Sequence, residues 1–203
     1  MTHPPWDDSY TGPHPAPWDI GRPQPEFVRL AEAGLLTGHV LDVGCGTGEH
    51  TLLAAEHGAD ALGVDIAPAA IEQARAKAAA RHSAARFEVA DALHLDTVVL
   101  DTDALAADTL IDSGVFHVFR NEDRPRYVDS IAAVLRPGGV LHLMCFSDRQ
   151  PGDFGPRRVR QDELRAAFAD GWTISSIDAA EFEVLRIEGH TTAQAWLAAI
   201  VRG

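Results

Sequence analysis

Val40-Leu41-Asp42-Val43-Gly44-Cys45-Gly46-Thr47-Gly48 is the stretch whose reading decides the fold. A short apolar run, 39–43, reads as a buried strand and leads straight into three alternating glycines; a helix over 49–57 follows. Glycine belongs where backbone must turn tightly or approach a ligand with no Cβ in the way. A dinucleotide fingerprint would be G-x-G-x-x-G, and counting from Gly44 its third glycine falls on Glu49. An acid at that helix start opposes a pyrophosphate, which argues against a nicotinamide cofactor. No Gly-Lys-Ser/Thr follows, so the loop is not a Walker loop.

Outward from this loop the chain alternates. Helices are predicted over 25–36, 49–57, 69–82, 123–135 and 161–169. Strands are predicted over 39–43, 61–66, 85–89, 109–112 and 140–146, with two late runs, 173–177 and 191–200, able to supply final strands. Pro137-Gly138-Gly139 is read as the stop between the fourth of these helices and the strand after it. Regular alternation predicts an α/β fold, a mostly parallel sheet with helices on both faces, and such sheets bind ligands at the carboxyl ends of their strands. One domain over 1–203 is expected. Residues 1–22 form a Pro- and aromatic-rich arm, read as neither regular helix nor strand, and the polar loop 147–160 could serve as a lid.

Composition excludes several classes. Lys and Arg number 17 against 30 Asp and Glu, a formal charge of −13. That field repels a phosphate backbone, so no nucleic-acid partner is expected. The basic cluster Arg157, Arg158 and Arg160 reads as a solvated loop. Cys45 and Cys145 form no CxxC pair, and no Cys/His cluster has metal-ligand spacing, so no metal is expected. No long apolar stretch predicts a membrane span, and the opening residues lack the basic start and apolar run of a signal peptide; a cytoplasmic location is the expectation.

Acids stand at three successive strand ends: Asp42, Asp65 (21 residues after Gly44) and Asp91. A carboxylate at the Asp65 position can accept both hydrogen bonds of a ribose diol. Three such acids suit a cationic ligand without phosphate, which describes S-adenosylmethionine. With these residues, and with Leu135-Arg136-Pro137-Gly138-Gly139, the chain resembles the class I S-adenosylmethionine-dependent methyltransferases, a resemblance that covers most of its length and implies a Rossmann-like, seven-stranded sheet. It also implies that Asp42, Gly44 and Gly46 pass the amino acid part of the cofactor. Asp65 with Ile66 then lies at the ribose, Asp91 and Ala92 at the adenine, and Ser113 beside the fourth strand end.

A narrower resemblance rests on Trp18-Asp19-Ile20-Gly21-Arg22-Pro23. It is similar to the thiol and halide methyltransferases, relatives of thiopurine methyltransferase, and implies that Trp6, Tyr10 and Trp18 fold over the cofactor. Ile111-Asp112-Ser113-Gly114-Val115-Phe116-His117-Val118-Phe119 resembles the bacterial heterocyclic toxin methyltransferases, which methylate hydroxyl groups on quinolone-like rings. That implies a small aromatic heterocycle as acceptor and a detoxifying role. The alternatives are a thiol or halide methyltransferase and a non-catalytic cofactor sensor.

A phenol-like hydroxyl titrates near 10 and would benefit from a base. His117, after the fourth strand, is the first candidate and Tyr10 the second; each could equally make only a structural contact. The arm, Val115, Phe116, Phe119 and Phe154 are expected to wall the acceptor pocket, although Phe116 and Phe119 could instead be core. The arm is expected to order on cofactor binding, since its rings have little else to bury against.

Overall fold

The central strand β1 (His39–Val43) leads into the glycine loop and α3 (Glu49–Glu56), as the sequence predicts. The computed structural model describes residues 6–97, 106–153, 155–187 and 189–203. Around β1 lie β2 (Asp60–Asp65), β3 (Arg86–Val89), β4 (Ala107–Ser113) and β5 (Leu135–Phe146), all parallel. β6 (Trp172–Ile187) and β7 (His190–Arg202) complete a seven-stranded sheet ordered β3-β2-β1-β4-β5-β7-β6, with β7 antiparallel to both its neighbours. This is a Rossmann-like, mostly parallel sheet. Its register brings the carboxyl ends of β1, β2 and β4 side by side (Val43 pairs with Val64 and Asp112) and so gathers Asp42, Asp65 and Asp112 at one edge.

The helices are α1 (Asp8–Thr11), α2 (Pro25–Glu32), α3, α4 (Pro68–Ala80), α5 (Arg124–Val134) and α6 (Gln161–Ala167). Proline opens α2 and α4, where its missing N–H costs nothing and its fixed φ suits the first turn. Strand alternation divides the core between the faces. Leu41, Val43 and Leu110 pack with Tyr127, Ile131 and Leu164 of α5 and α6. Val40 and Ile111 pack with Phe27, Ala31 and Leu53 of α2 and α3 on the other side.

Three expectations change. Pro137-Gly138-Gly139 does not separate helix from strand: β5 starts directly at Leu135 and carries the three residues as a bulge, the pairing jumping from Ala107–Leu135 to Thr109–Val140. The first late run is far longer than predicted, β6 extending ten residues past 177, while β7 matches the second to within two residues at either end. The arm is not wholly irregular, since α1 lies within it. β6 is an edge strand, and the arm covers part of that edge. The Gln24 side chain exchanges two 2.8 Å hydrogen bonds with the Glu183 backbone, and Leu185 N–H donates to Pro17 O at 2.8 Å.

Candidate active site

The cleft opens at the carboxyl edge of the sheet and holds about 750 Å³, an ordinary volume for a small-molecule site. Its floor is the glycine loop. Gly44 and Gly46 adopt φ of 67° and 53°, which L side chains rarely do. A Cβ on Gly44 would sit 2.2 Å from Val115 Cγ2, and one on Gly46 would sit 3.1 Å from Tyr10 Oη. Asp65 holds the loop to β2: Oδ2 accepts Gly46 N–H and Oδ1 accepts Ala67 N–H, each at 2.9 Å. Burial pushes its carboxyl above the usual range, against these stabilising bonds. Each oxygen keeps further acceptor capacity, as a ribose diol would require.

The arm forms the roof. Trp6 and Trp18 meet edge-on with centroids 5.8 Å apart, and Trp18 Nε1–H donates to Tyr10 Oη at 3.0 Å. Asp7 Oδ1 accepts Ala69 N–H at 2.8 Å in the first turn of α4, Gln73 Nε2 donates to Tyr10 O at 2.8 Å, and Thr47 Oγ1 donates to Asp19 Oδ2 at 2.9 Å. The rings contact one another and the arm is tied to α4 and the glycine loop, while Trp18 stays 44% exposed. Glu49, at the first turn of α3, is buried under Lys77 and Arg81 at 2.8 and 3.0 Å.

Eleven of the twelve residues named from the sequence line this cleft: Trp6, Tyr10, Trp18, Gly44, Gly46, Asp65, Ile66, Asp91, Ala92, Ser113 and His117. Asp42 does not. It lies fully buried behind the loop, where Oδ2 accepts Thr51 Oγ1–H at 2.7 Å and Oδ1 has no partner among the described residues. Burial first, then Asp65 and Asp112, raises its carboxyl to about 7. Asp42 supports the loop from beneath.

His117 stands in a short turn after β4 that Asp112 organises, its carboxylate accepting Val115 N–H at 2.7 Å, Phe116 N–H at 3.0 Å and Tyr127 Oη–H at 2.7 Å. Phe146 N–H donates to His117 Nδ1 at 3.0 Å, so in the neutral ring the proton sits on Nε2. Burial, helped by Arg124 and Arg158, pushes the imidazole down to about 3. In that state the ring carries a hydrogen-bond donor, Nε2–H. Burial, then the charge of Asp65, drives the Tyr10 hydroxyl far above the usual phenol value.

The acceptor end is walled by Val115, Val118 and Phe119 on one side and by Phe146, Phe182 and Val184 on the other. Phe116 is core, fully buried against Tyr127 and Phe168. Phe154 lies outside the described residues. Sequence reading missed the β6 wall, together with His50, whose Nε2 accepts Gln24 N–H at 3.1 Å, and the Arg22–Glu183 ion pair. The strict alternation Ala180, Phe182, Val184 was the available signal, since those three are buried. Nor is the basic cluster simply solvated. Arg157 lines the cleft and donates to Asn121 Oδ1 at 2.8 Å, while Arg158 lies over the Phe146 ring at 5.6 Å; Arg157 and Arg160 also face solvent.

A floor with glycines at Gly44 and Gly46, an acid with spare acceptor capacity, further acids and a roof of aromatic rings together fit a cationic nucleoside; aromatic faces favour cations. Residues 40–139 match a family profile described as a methyltransferase domain. A 2-heptyl-1-hydroxyquinolin-4(1H)-one methyltransferase of Mycobacteroides abscessus is 37% identical over 183 residues, spanning 86% of this chain and 79% of the relative. The chain belongs to the S-adenosylmethionine-dependent methyltransferases. A solved structure from work on conversion of a disulfide bond into a thioacetal group during echinomycin biosynthesis is 39% identical to this methyltransferase, with a TM-score of 0.83 over 97% of this chain and 90% of that one. A probable thiol methyltransferase of Arabidopsis thaliana is 30% identical over 70% of this chain and 61% of its own. Among the described residues no helix is long and apolar enough to cross a membrane, and no group of His, Cys, Asp and Glu could hold a metal ion.

Proposed function

We propose that this methyltransferase methylates a heteroatom, foremost an oxygen, on a small aromatic heterocycle of the hydroxyquinolone type. The observation that carries the reading is the 37% identity, over 86% of the chain, to a methyltransferase for such a ring. The apolar, aromatic lining by Phe119, Phe146 and Phe182 supports it, because a planar aromatic ring buries better against such side chains than a sugar or peptide does. The same chemistry would cap a reactive hydroxyl and so fits a detoxifying role in the cytoplasm. A sulfur acceptor is the second reading, favoured by the 39% identity to the structure associated with disulfide-to-thioacetal conversion.

When bound, S-adenosylmethionine supplies a methyl group on a sulfonium, an electrophile already activated for in-line displacement. Asp65 would hold the ribose diol, Asp91 and Ala92 the adenine, and Gly44 and Gly46 would admit the amino acid part. Trp6, Tyr10 and Trp18 would close over them and exclude water. The protein's remaining task is alignment of acceptor and methyl, which is worth ~7–11 kcal/mol in well-oriented systems. Incubating the protein with cofactor and 2-heptyl-1-hydroxyquinolin-4-one should yield a product heavier by one methylene, with fragmentation locating the methyl on oxygen. Methylation on ring carbon, or only of thiols offered in parallel, would overturn the oxygen assignment.

A further inference from the structure

Where the acceptor's proton goes is a question that the cleft answers by elimination. His117 and His50 both spend one ring nitrogen accepting a backbone N–H, from Phe146 and Gln24, and in the neutral ring each carries its proton on the other. Tyr10 Oη accepts from Trp18. Asp19 accepts the Thr47 hydroxyl, and Glu49 is clasped by Lys77 and Arg81. Asp65 accepts Gly46 N–H through Oδ2 and Ala67 N–H through Oδ1. Glu183 is paired with Arg22, and Asp91 Oδ1 accepts Leu93 N–H at 2.9 Å on the far, cofactor side. Among the described residues, the two histidines and Tyr10 are thus already engaged, and each carboxylate lining the cleft is ion-paired or hydrogen-bonded, Glu183 through the charge of Arg22 although its Oε2 makes no hydrogen bond.

What this end offers instead is donors and positive charge, in a chain of formal charge −13. His117 Nε2–H has no described partner, and its ring is held between Phe146 and Phe182. Arg120 lines the cleft beside Phe119 and pairs with no described acid; Arg157 lines it too, paired with Glu163. Behind the wall, Arg124 is buried over the Phe116 ring at 4.3 Å; its Nη1 pairs with Glu163 Oε1 at 3.1 Å, while Nε and Nη2 are unpartnered among the described residues. Arg124 and Arg158 together set a positive potential at His117 that helps keep its imidazole neutral. A site so arranged disfavours a protonated base and favours an anion.

We propose that the cleft takes its acceptor as a preformed anion: an N-hydroxy heterocycle or a thiol that has already lost its proton to solvent, its charged heteroatom facing His117 Nε2–H and Arg120. The proposal rests on the heteroatom reading above and narrows it, since an ordinary phenol, titrating near 10, would reach the site only as a minor species at neutral pH. The anion's lone pair forms the bond to the methyl carbon. The carbon–sulfur bond breaks with its electrons passing to sulfur, the two opposite charges cancel, and no proton crosses the enzyme.

The test pairs kinetics with a spectrum. Values of kcat/KM for 2-heptyl-1-hydroxyquinolin-4-one and for 4-nitrothiophenol are measured against pH in wild type, His117→Ala and Arg120→Ala. In each profile kcat/KM should fall about tenfold per pH unit below a break lying at that acceptor's own pKa, different for the two acceptors and unmoved by either substitution. Arg120→Ala should raise KM several-fold above the break and leave kcat nearly unchanged. In wild-type protein without cofactor, bound 4-nitrothiophenol should show the thiolate absorption band and bind more tightly as pH rises through its pKa. A single break shared by both acceptors and abolished by a substitution, or a bound spectrum of the neutral thiol, overturns the proposal and leaves the heteroatom reading standing. Methylation of neither acceptor by cofactor-loaded protein overturns that reading itself.

Discussion

Replacing Asp42 by asparagine isolates the energetic consequence of gathering buried acids beneath the glycine loop. The Asp42 carboxyl is raised from 3.8 to about 7, chiefly by burial and then by Asp65 and Asp112. The folded state therefore holds this proton more tightly than the unfolded chain. The stability it contributes is fully present below 3.8 and is lost as pH rises through about 7. The difference, 7 − 3.8, is about three pH units, and at 1.36 kcal/mol per unit it corresponds to about 4 kcal/mol. An asparagine amide oxygen can still accept the Thr51 hydroxyl, and any cost of its buried NH₂ is the same at every pH. Urea unfolding of wild type and Asp42→Asn between pH 4 and pH 8 separates the two effects. The gap between the curves should change by about 4 kcal/mol across that window in favour of the variant at high pH, while contributions from Asp112 and Asp65 largely cancel. Parallel curves would refute the reasoning and mean that Asp42 is ionised in the fold at little cost.

The loop and the arm give three further outcomes. Asp65→Asn removes a charge-assisted acceptor from the ribose position and weakens the tie to Gly46 N–H; S-adenosylhomocysteine affinity by calorimetry should drop about 10–100-fold, and an unchanged affinity would remove Asp65 from the cofactor site. Gly44→Ala places a Cβ 2.2 Å from Val115 Cγ2 at a φ of 67°, so thermal unfolding should come several degrees lower and cofactor-induced stabilisation should disappear. Gln24→Ala leaves the Glu183 backbone N–H and C=O without their side-chain partners, at a cost of about 1–3 kcal/mol. Limited proteolysis within residues 6–22 should then accelerate, whereas wild-type rates would show that the arm is held elsewhere.

The parts of the fold legible in the sequence are those whose signals are local. Gly44 and Gly46 advertise a backbone that must run at positive φ beneath a ligand, and the alternation around them fixes strand, loop and helix within a residue or two. Asp65 and Asp91 were readable because residues at the carboxyl ends of strands face the cleft, whereas Ser113 and the arm rings came from the family resemblance. Non-local features were not readable. The neutral, donating state of His117 is set by the backbone N–H of Phe146, 29 residues away, and by arginines from other segments. Phe182 and Val184 join the acceptor wall only because β6 runs on past its predicted end, and acids between the apolar positions disguised an edge strand as loop. Asp42 matched a motif, yet its strand's pleat turns it beneath the loop toward Thr51.

The central claim is that this cleft transfers methyl groups from S-adenosylmethionine to an acidic heteroatom on a small planar ring. Its most direct test is the rate of S-adenosylhomocysteine release from purified protein at neutral pH with 2-heptyl-1-hydroxyquinolin-4-one, 4-nitrothiophenol, an unactivated phenol and no acceptor. The account predicts turnover on one or both of the acidic acceptors, a rate on the phenol lower by orders of magnitude, and none without acceptor. Equal rates on the phenol, or silence on every acceptor from protein shown to bind cofactor, would contradict it.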